Sequence, residues 1–214
     1  DHILLLFSFE KPFFDKEQVS CEFVGHPLLE HRKEDKINIS QVIGKNKAII
    51  SIFPGSRISE INLLMPILLE SIKLLSKKHA DITFVFHSTQ EHNALIRLLI
   101  KKNVSKNCQV VSDEKIKLHL LRKSIFAIAK SGTVSLEICH EKIPSIILYK
   151  MNFINFLIIK MLIKTKYANI INIAAREEII PELLQSKCNS KNIYKTVNVF
   201  LNSPLKIKEQ IIKT

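Results

Sequence analysis

The chain has 214 residues with 46% hydrophobic content and only four glycines and seven prolines, which excludes a disordered or low-complexity chain and leaves enough length for one large core. Lys and Arg number 32 against 20 Asp and Glu, a net charge of +12 that fits either a lysine-rich solvated surface or an anionic partner such as lipid or a phosphorylated small molecule. Aromatics do not interleave with the basic residues and there is no zinc-finger or RNP-type spacing, so nucleic acid is the partner least supported.

In chain order, the first apolar run, residues 3–7, reads as a buried strand, and "KPFFDKE" as a short helix after it. The chain starts at Asp1 and enters that strand at once, which reads as a beginning part-way through a larger protein. "CEFVGHP" (21–27) predicts a strand closed by a tight turn. Residues 28–47 are polar and charged and read as a linker. "AIISIF" (48–53) predicts a buried strand. Apolar residues at 61, 64, 65, 68, 72 and 75 then follow helical spacing, with Pro66 inside the pattern expected to kink or split it. Strands at 82–86, 108–111, 125–129 and 145–149 alternate with helices at 90–102, 114–122, 133–142 and 153–163.

Fully apolar strands between helices indicate an α/β fold, a Rossmann-like parallel sheet with helices on both faces. The expected organisation is the tail of one domain at 1–27, a linker at 28–47 and the main domain at 48–214. The cysteines, Cys21, Cys108, Cys139 and Cys188, are far apart and form no C-x-x-C, which favours reduced, mostly buried thiols. The five aspartates form no D-x-D pair, so a metal–diphosphate arrangement has no support.

Ligands of open parallel sheets bind beyond the carboxyl ends of the strands. Three of the four glycines fall there: Gly25 in "VGHP", Gly55 in "FPGSR" and Gly132 in "KSGT". Glycine allows positive φ and close approach of a ligand, and a following helix aims free N–H groups at an anion. Ser131 and Thr133 are helix caps or phosphate donors, and Arg57 after Gly55 and Ser56 supplies a fork suited to phosphate. Glu137 lies one turn along the helix from Thr133, where a carboxylate suits a ribose diol. Together these features suggest a site for a nucleoside diphosphate. Each also has a purely structural interpretation: S-G-T as a cap, P-G-S-R as a turn with a surface arginine, Glu137 as a solvated helix residue. His26 before Pro27 fits a hydrogen-bonding hinge better than a catalyst. Neither G-x-G-x-x-G nor a P-loop is present.

The ordered set "FVGHPL" (23–28), "FPGSRISEI" (53–61), "SGTVSLE" (131–137), "YKMN" (149–152), "LIKTKYANIIN" (162–172) and "IIPELLQ" (179–185) resembles the lipid-A-disaccharide synthase family of two-domain GT-B glycosyltransferases. The most specific part is "LIKTKY…N" followed by "PELLQ". The resemblance implies an inverting enzyme, with no metal and no cofactor, that joins UDP-2,3-diacylglucosamine to 2,3-diacylglucosamine 1-phosphate (lipid X) and releases UDP. It makes this chain the donor-binding C-terminal half. Gly55, Ser56 and Arg57 would face the diphosphate, with Ser131, Gly132 and Thr133 at the helix start. Glu137 would hold the ribose, and Tyr149, Asn172, Glu182 and Gln185 would lie near the donor cleft. Glu182 and Gln185 could instead simply start and stabilise a helix after Pro181. The general base and acceptor cleft belong to the family's N-terminal half, so no catalytic residue is assigned here. A separate N-terminal half or a second copy would then be a partner. The alternative function is a non-catalytic truncated remnant or a UDP-binding module. The chain departs from the family's pattern at Ile171, where Pro is usual, and at Ala175-Arg176-Glu177, where A-G-R is usual.

The segment 149–167 carries Lys150, Lys160, Lys164 and Lys166 and no acid, and is too short and interrupted to span a bilayer. It reads either as a buried helix or as an interfacial segment with lysines on anionic headgroups. With acylated substrates, the resemblance implies a cytoplasmic enzyme peripheral to the inner membrane.

Overall fold

The structure is a computed structural model and describes residues 2–27, 48–103, 107–152, 156 and 165–214. The expected linker and most of the expected helix at 153–163 lie outside the described residues. The chain divides into two compact units, Asp1–Glu34 and Asp35–Thr214.

In the first unit, β1 (Ile3–Leu5) pairs in parallel with β2 (Cys21–Phe23), joined by a 3₁₀ turn and the short helix α1 (Lys11–Lys16). Gly25 follows β2 at φ +82°. The ring of His26 lies 5.6 Å from that of Phe7.

The second unit is built on a six-stranded, wholly parallel sheet. Its strands are β3 (Ala48–Phe53), β4 (Ile82–His87), β5 (Cys108–Val111), β6 (Phe126–Lys130), β7 (Ser145–Tyr149) and β8 (Glu182–Leu184), in the order β5-β4-β3-β6-β7-β8. The helices are α2 (Ile58–Lys78), α3 (Asn93–Asn103), α4 (Glu114–Arg122), α5 (Val134–His140), α6 (Ile170–Ala175), α7 (Ser190–Leu201) and α8 (Pro204–Lys213). This is the α/β class expected from the alternating pattern.

Side chains alternate across the pleat, so apolar strands serve both faces. Ile50, Ile52, Phe84, Phe86, Phe126 and Ile128 pack with the apolar stripe of α2 and with Ile193, Val197 and Phe200 of α7. The neighbouring positions Ile49, Val85 and Val111 pack with Leu120 of α4. Ala127, Ala129 and Ile147 pack with Ile138 and Cys139 of α5.

Two expectations are corrected. Of the kink or split expected at Pro66, the split does not occur: helix α2 continues for 21 residues. Pro66 is on the exposed face, where the carbonyl that loses its N–H partner is open to water. Glu182 does not start a helix after Pro181: residues 182–184 pair with Ile147–Tyr149 as β8, and only a 3₁₀ turn, Gln185–Lys187, follows. Helices α7 and α8 were not foreseen. No disulfide forms among the four cysteines, and burial raises the Cys108 and Cys139 thiols to about 12 and Cys188 to about 11.

Candidate nucleotide site at the carboxyl edge

Because every strand of the large sheet is parallel, all carboxyl ends lie along one edge. The turns predicted from the sequence leave β3 and β6, which are neighbours in the sheet and pair from Ile50↔Phe126 to Phe53↔Ala129. Tyr149 ends β7 beside them, and Gln185 follows β8.

The turn after β3 is closed by a residue the sequence reading did not single out. Gly55 is at φ +112°, and a Cβ there would lie 2.5 Å from Glu60 Oε2. That oxygen accepts from the Ser56 N–H at 3.2 Å and the Arg57 N–H at 3.4 Å. Glu60 is the third residue of α2 and reaches back to the turn as a capping residue does. Its Oε1 meets Arg57 Nη1 at 3.2 Å and Lys130 Nζ at 2.9 Å. Burial alone would push the Glu60 carboxyl up, but the hydrogen bond and charge of Lys130 with the two backbone donors hold it below its ordinary value. The free N–H groups expected at this turn are therefore taken up by the chain's own carboxylate. The Arg57 side chain remains 77% exposed.

Lys130 ends β6 and stands immediately before Ser131, Gly132 and Thr133. The ring of Tyr149 lies 5.9 Å from Lys130 Nζ. Burial, then the Glu60 charge, raises the Tyr149 phenol above its usual value. The Ser131 hydroxyl donates to the Ala168 carbonyl at 2.8 Å, so that donor ties the turn to the segment before α6. Gly132 and Thr133 are exposed, and Glu137 is half-buried one turn into α5.

Asn172 and Glu182 come together, but as a clasp. Asn172 Nδ2 donates to the Ile180 carbonyl and to Glu182 Oε1, both at 2.7 Å, while its Oδ1 accepts from the Ile179 and Ile180 N–H groups at 2.9 Å. Glu182 also accepts from the N–H groups of Ala168 (2.8 Å) and Asn169 (3.0 Å). Both side chains are buried, and Asn172 has no donor or acceptor to spare. The Asn172 amide is spent on holding the loop between α6 and β8.

Gln185 sits at φ +47°, and its Oε1 accepts from the Met151 N–H at 3.2 Å. Its Nε2 is buried without a partner among the described residues. It lines a cleft of about 710 Å³ together with Glu182, Tyr167, Lys150, Lys166 and Lys187. Lysines at a partly apolar cleft suit an anionic ligand with a hydrophobic part.

No described helix is long and apolar enough to cross a membrane.

The profile of the lipid-A-disaccharide synthetase family matches residues 1–214. The chain is 35% identical over 218 residues to lipid-A-disaccharide synthase of Rickettsia prowazekii, covering 100% of this chain and 57% of that protein. It is 36% identical over 227 residues to the enzyme of that name from a Sulfurihydrogenibium species, covering 92% of this chain and 58% of that one. The chain therefore spans little more than half the length of the curated relatives it matches. Among solved structures, the C-terminal domain of a group 1 glycosyl transferase from Francisella tularensis aligns with TM-score 0.52 at 16% identity, over 86% of this chain and 90% of that one. UDP-GlcNAc 2-epimerase from Neisseria meningitidis, solved with UDP-GlcNAc bound, aligns with TM-score 0.57 at 16% identity, over 77% and 39%. These structural likenesses give the fold: the carboxyl-terminal domain of a GT-B architecture.

Proposed function

This chain belongs to the lipid-A-disaccharide synthetase family, and from that premise we propose that it is the nucleotide-sugar donor half of a glycosyltransferase of lipid A synthesis. The donor is UDP-2,3-diacylglucosamine and the acceptor 2,3-diacylglucosamine 1-phosphate. The product is the disaccharide 1-phosphate with inversion at the donor's anomeric carbon, and UDP leaves. The observation that carries the reading is the gathering, on one sheet edge, of the Gly55–Arg57 and Ser131–Thr133 turns with Glu137 behind the second.

Breaking the sugar–phosphate bond puts negative charge on the UDP oxygens. A positioned guanidinium stabilises that charge more in the transition state than in the ground state. Arg57, exposed at the turn, has this role. Gly132 and Thr133 lie where backbone donors approach a phosphate, and the Glu137 carboxylate accepts from the ribose hydroxyls. Asn172 and Glu182 fix the loop beside the site through their shared hydrogen bonds. Gln185 offers its unpartnered amide donor to the ligand. On the family's pattern the general base and acceptor cleft belong to an N-terminal half, and this chain spans 57% of the Rickettsia prowazekii relative.

The acylated substrates require the enzyme to work at the cytoplasmic face of the inner membrane, and the cleft lysines suit anionic headgroups. Salt-sensitive binding to anionic but not neutral vesicles is the expected behaviour. The donor reading itself is tested by calorimetric titration of UDP into the folded chain: saturable one-site binding is expected, and its absence would overturn the reading.

A further inference from the structure

Two cations converge on a single oxygen atom at the carboxyl edge. Arg57 Nη1 and Lys130 Nζ lie 3.2 and 2.9 Å from the same Glu60 Oε1. The other oxygen, Oε2, takes the two backbone N–H groups of Ser56 and Arg57. The two oxygens have separate tasks. Oε2 caps α2; Oε1 fills the point where an ammonium and a guanidinium meet.

Lys130 is well placed to serve a ligand. It ends the strand next to β3 and directly precedes the Ser131-Gly132-Thr133 turn. Its side chain is 19% exposed. An ammonium so enclosed needs an anionic partner, which Glu60 supplies when nothing else is bound. The Tyr149 ring at 5.9 Å helps to fix where that ammonium stands.

We propose that Lys130 is a further contact of the donor diphosphate, and that a phosphate oxygen takes the place of Glu60 Oε1 between Lys130 and Arg57. This rests on the donor-binding reading above. Glu60 keeps its cap through Oε2 and gives up only its contacts to the two cations. Lys130 exchanges one anionic oxygen for another, so its desolvation has already occurred in the folded chain, as a preorganised site requires. The carboxylate is the resident counter-anion, and it competes with the ligand for the same two cations.

The competition gives the two partners of one ion pair opposite signs. Lys130→Ala removes a charge-assisted contact and should weaken UDP binding by roughly tenfold or more. Uridine, which lacks the phosphates, should bind as before. Glu60→Gln keeps a carbonyl for the cap but frees both cations, and should tighten UDP binding by about threefold or more. The experiment titrates UDP and uridine separately into the 214-residue chain and both variants, with thermal unfolding to verify that each is folded. If both variants weaken UDP and uridine together, the pair is only structural and the proposal fails. If the parent binds UDP and Lys130→Ala binds it equally well, the proposal fails while the donor reading stands. A folded parent that binds no UDP overturns both.

Discussion

Glu60 Oε2 occupies the space that a side chain at position 55 would need: a Cβ on Gly55 would lie 2.5 Å from it. Gly55 also adopts φ +112°, which L side chains rarely adopt. Gly55→Ala should therefore destabilise the fold by about 1–3 kcal/mol. For a chain of this length each kcal/mol corresponds to a fall in Tm of about 2–4 °C. The displaced carboxylate would also leave the Ser56 and Arg57 N–H groups, so their hydrogen exchange should accelerate. An unchanged Tm with unchanged exchange would contradict the packing described.

Arg176 closes α6 in the left-handed region, at φ +55° and ψ +22°. This is where the family's pattern carries glycine, and it is the position in a helix end that glycine fills with least strain. Arg176→Gly should stabilise the chain by about 0.5–1 kcal/mol, read from chemical denaturation. The following Glu177 pairs with Lys213 of α8 at 2.5 Å, and that exposed pair should be nearly silent when broken.

Removing the Asn172 amide takes this partner from the Ile180 N–H and the Ile180 carbonyl, while the Ile179 N–H keeps the Glu177 carbonyl at 3.0 Å. Asn172→Ala should cost about 3 kcal/mol. Faster exchange of the Ile180 amide is the local signature, and Asn172→Asp, which retains the acceptors but sets a second carboxylate against Glu182, should not restore the lost stability.

His87 gives the fold an acid sensitivity. Its Nε2 meets Ser51 Oγ at 2.8 Å, Ser51 Oγ meets Ser124 Oγ at 2.7 Å, and the Phe53 ring stacks on the imidazole at 4.2 Å. Burial, with a smaller repulsion from Lys117, lowers its pKa from 6.5 to about 3. The unfolded chain therefore takes up a proton that the folded chain refuses. This contribution is fully present above about pH 6.5 and is lost as pH falls toward 3, at up to about 1.4 kcal/mol per pH unit. Urea denaturation between pH 7 and 4 should show a shallower fall for His87→Gln than for the parent; equal slopes would refute the assignment.

The large sheet was legible in the sequence because its strands are short, unbroken apolar runs: Ala48–Phe53, Cys108–Val111 and Ser145–Tyr149 have the bounds that their composition suggests. β8 was not legible. Its three residues, Glu182–Leu184, begin with a buried carboxylate whose partners on Asn172 and the Ala168–Asn169 backbone are visible only in three dimensions. The turns at Gly55 and Gly132 stood out because glycine is rare in this chain. Glu60 and Lys130 did not, since their meeting is a product of β3 and β6 lying side by side. A carboxylate at the third position of a helix that follows P-G-S-R was the available signal for a cap, though not for its two cations. Pro66 misled because helical periodicity does not reveal which proline faces solvent.

The most direct test of the central claim separates the two ends of a nucleoside diphosphate. UDP and uridine are titrated by calorimetry into the folded chain, Arg57→Ala and Glu137→Ala. The account predicts that Arg57→Ala weakens UDP by roughly tenfold or more and leaves uridine unchanged, whereas Glu137→Ala weakens both ligands alike. A folded parent that binds neither ligand, or Arg57→Ala and Glu137→Ala variants that bind UDP as the parent does, would contradict it.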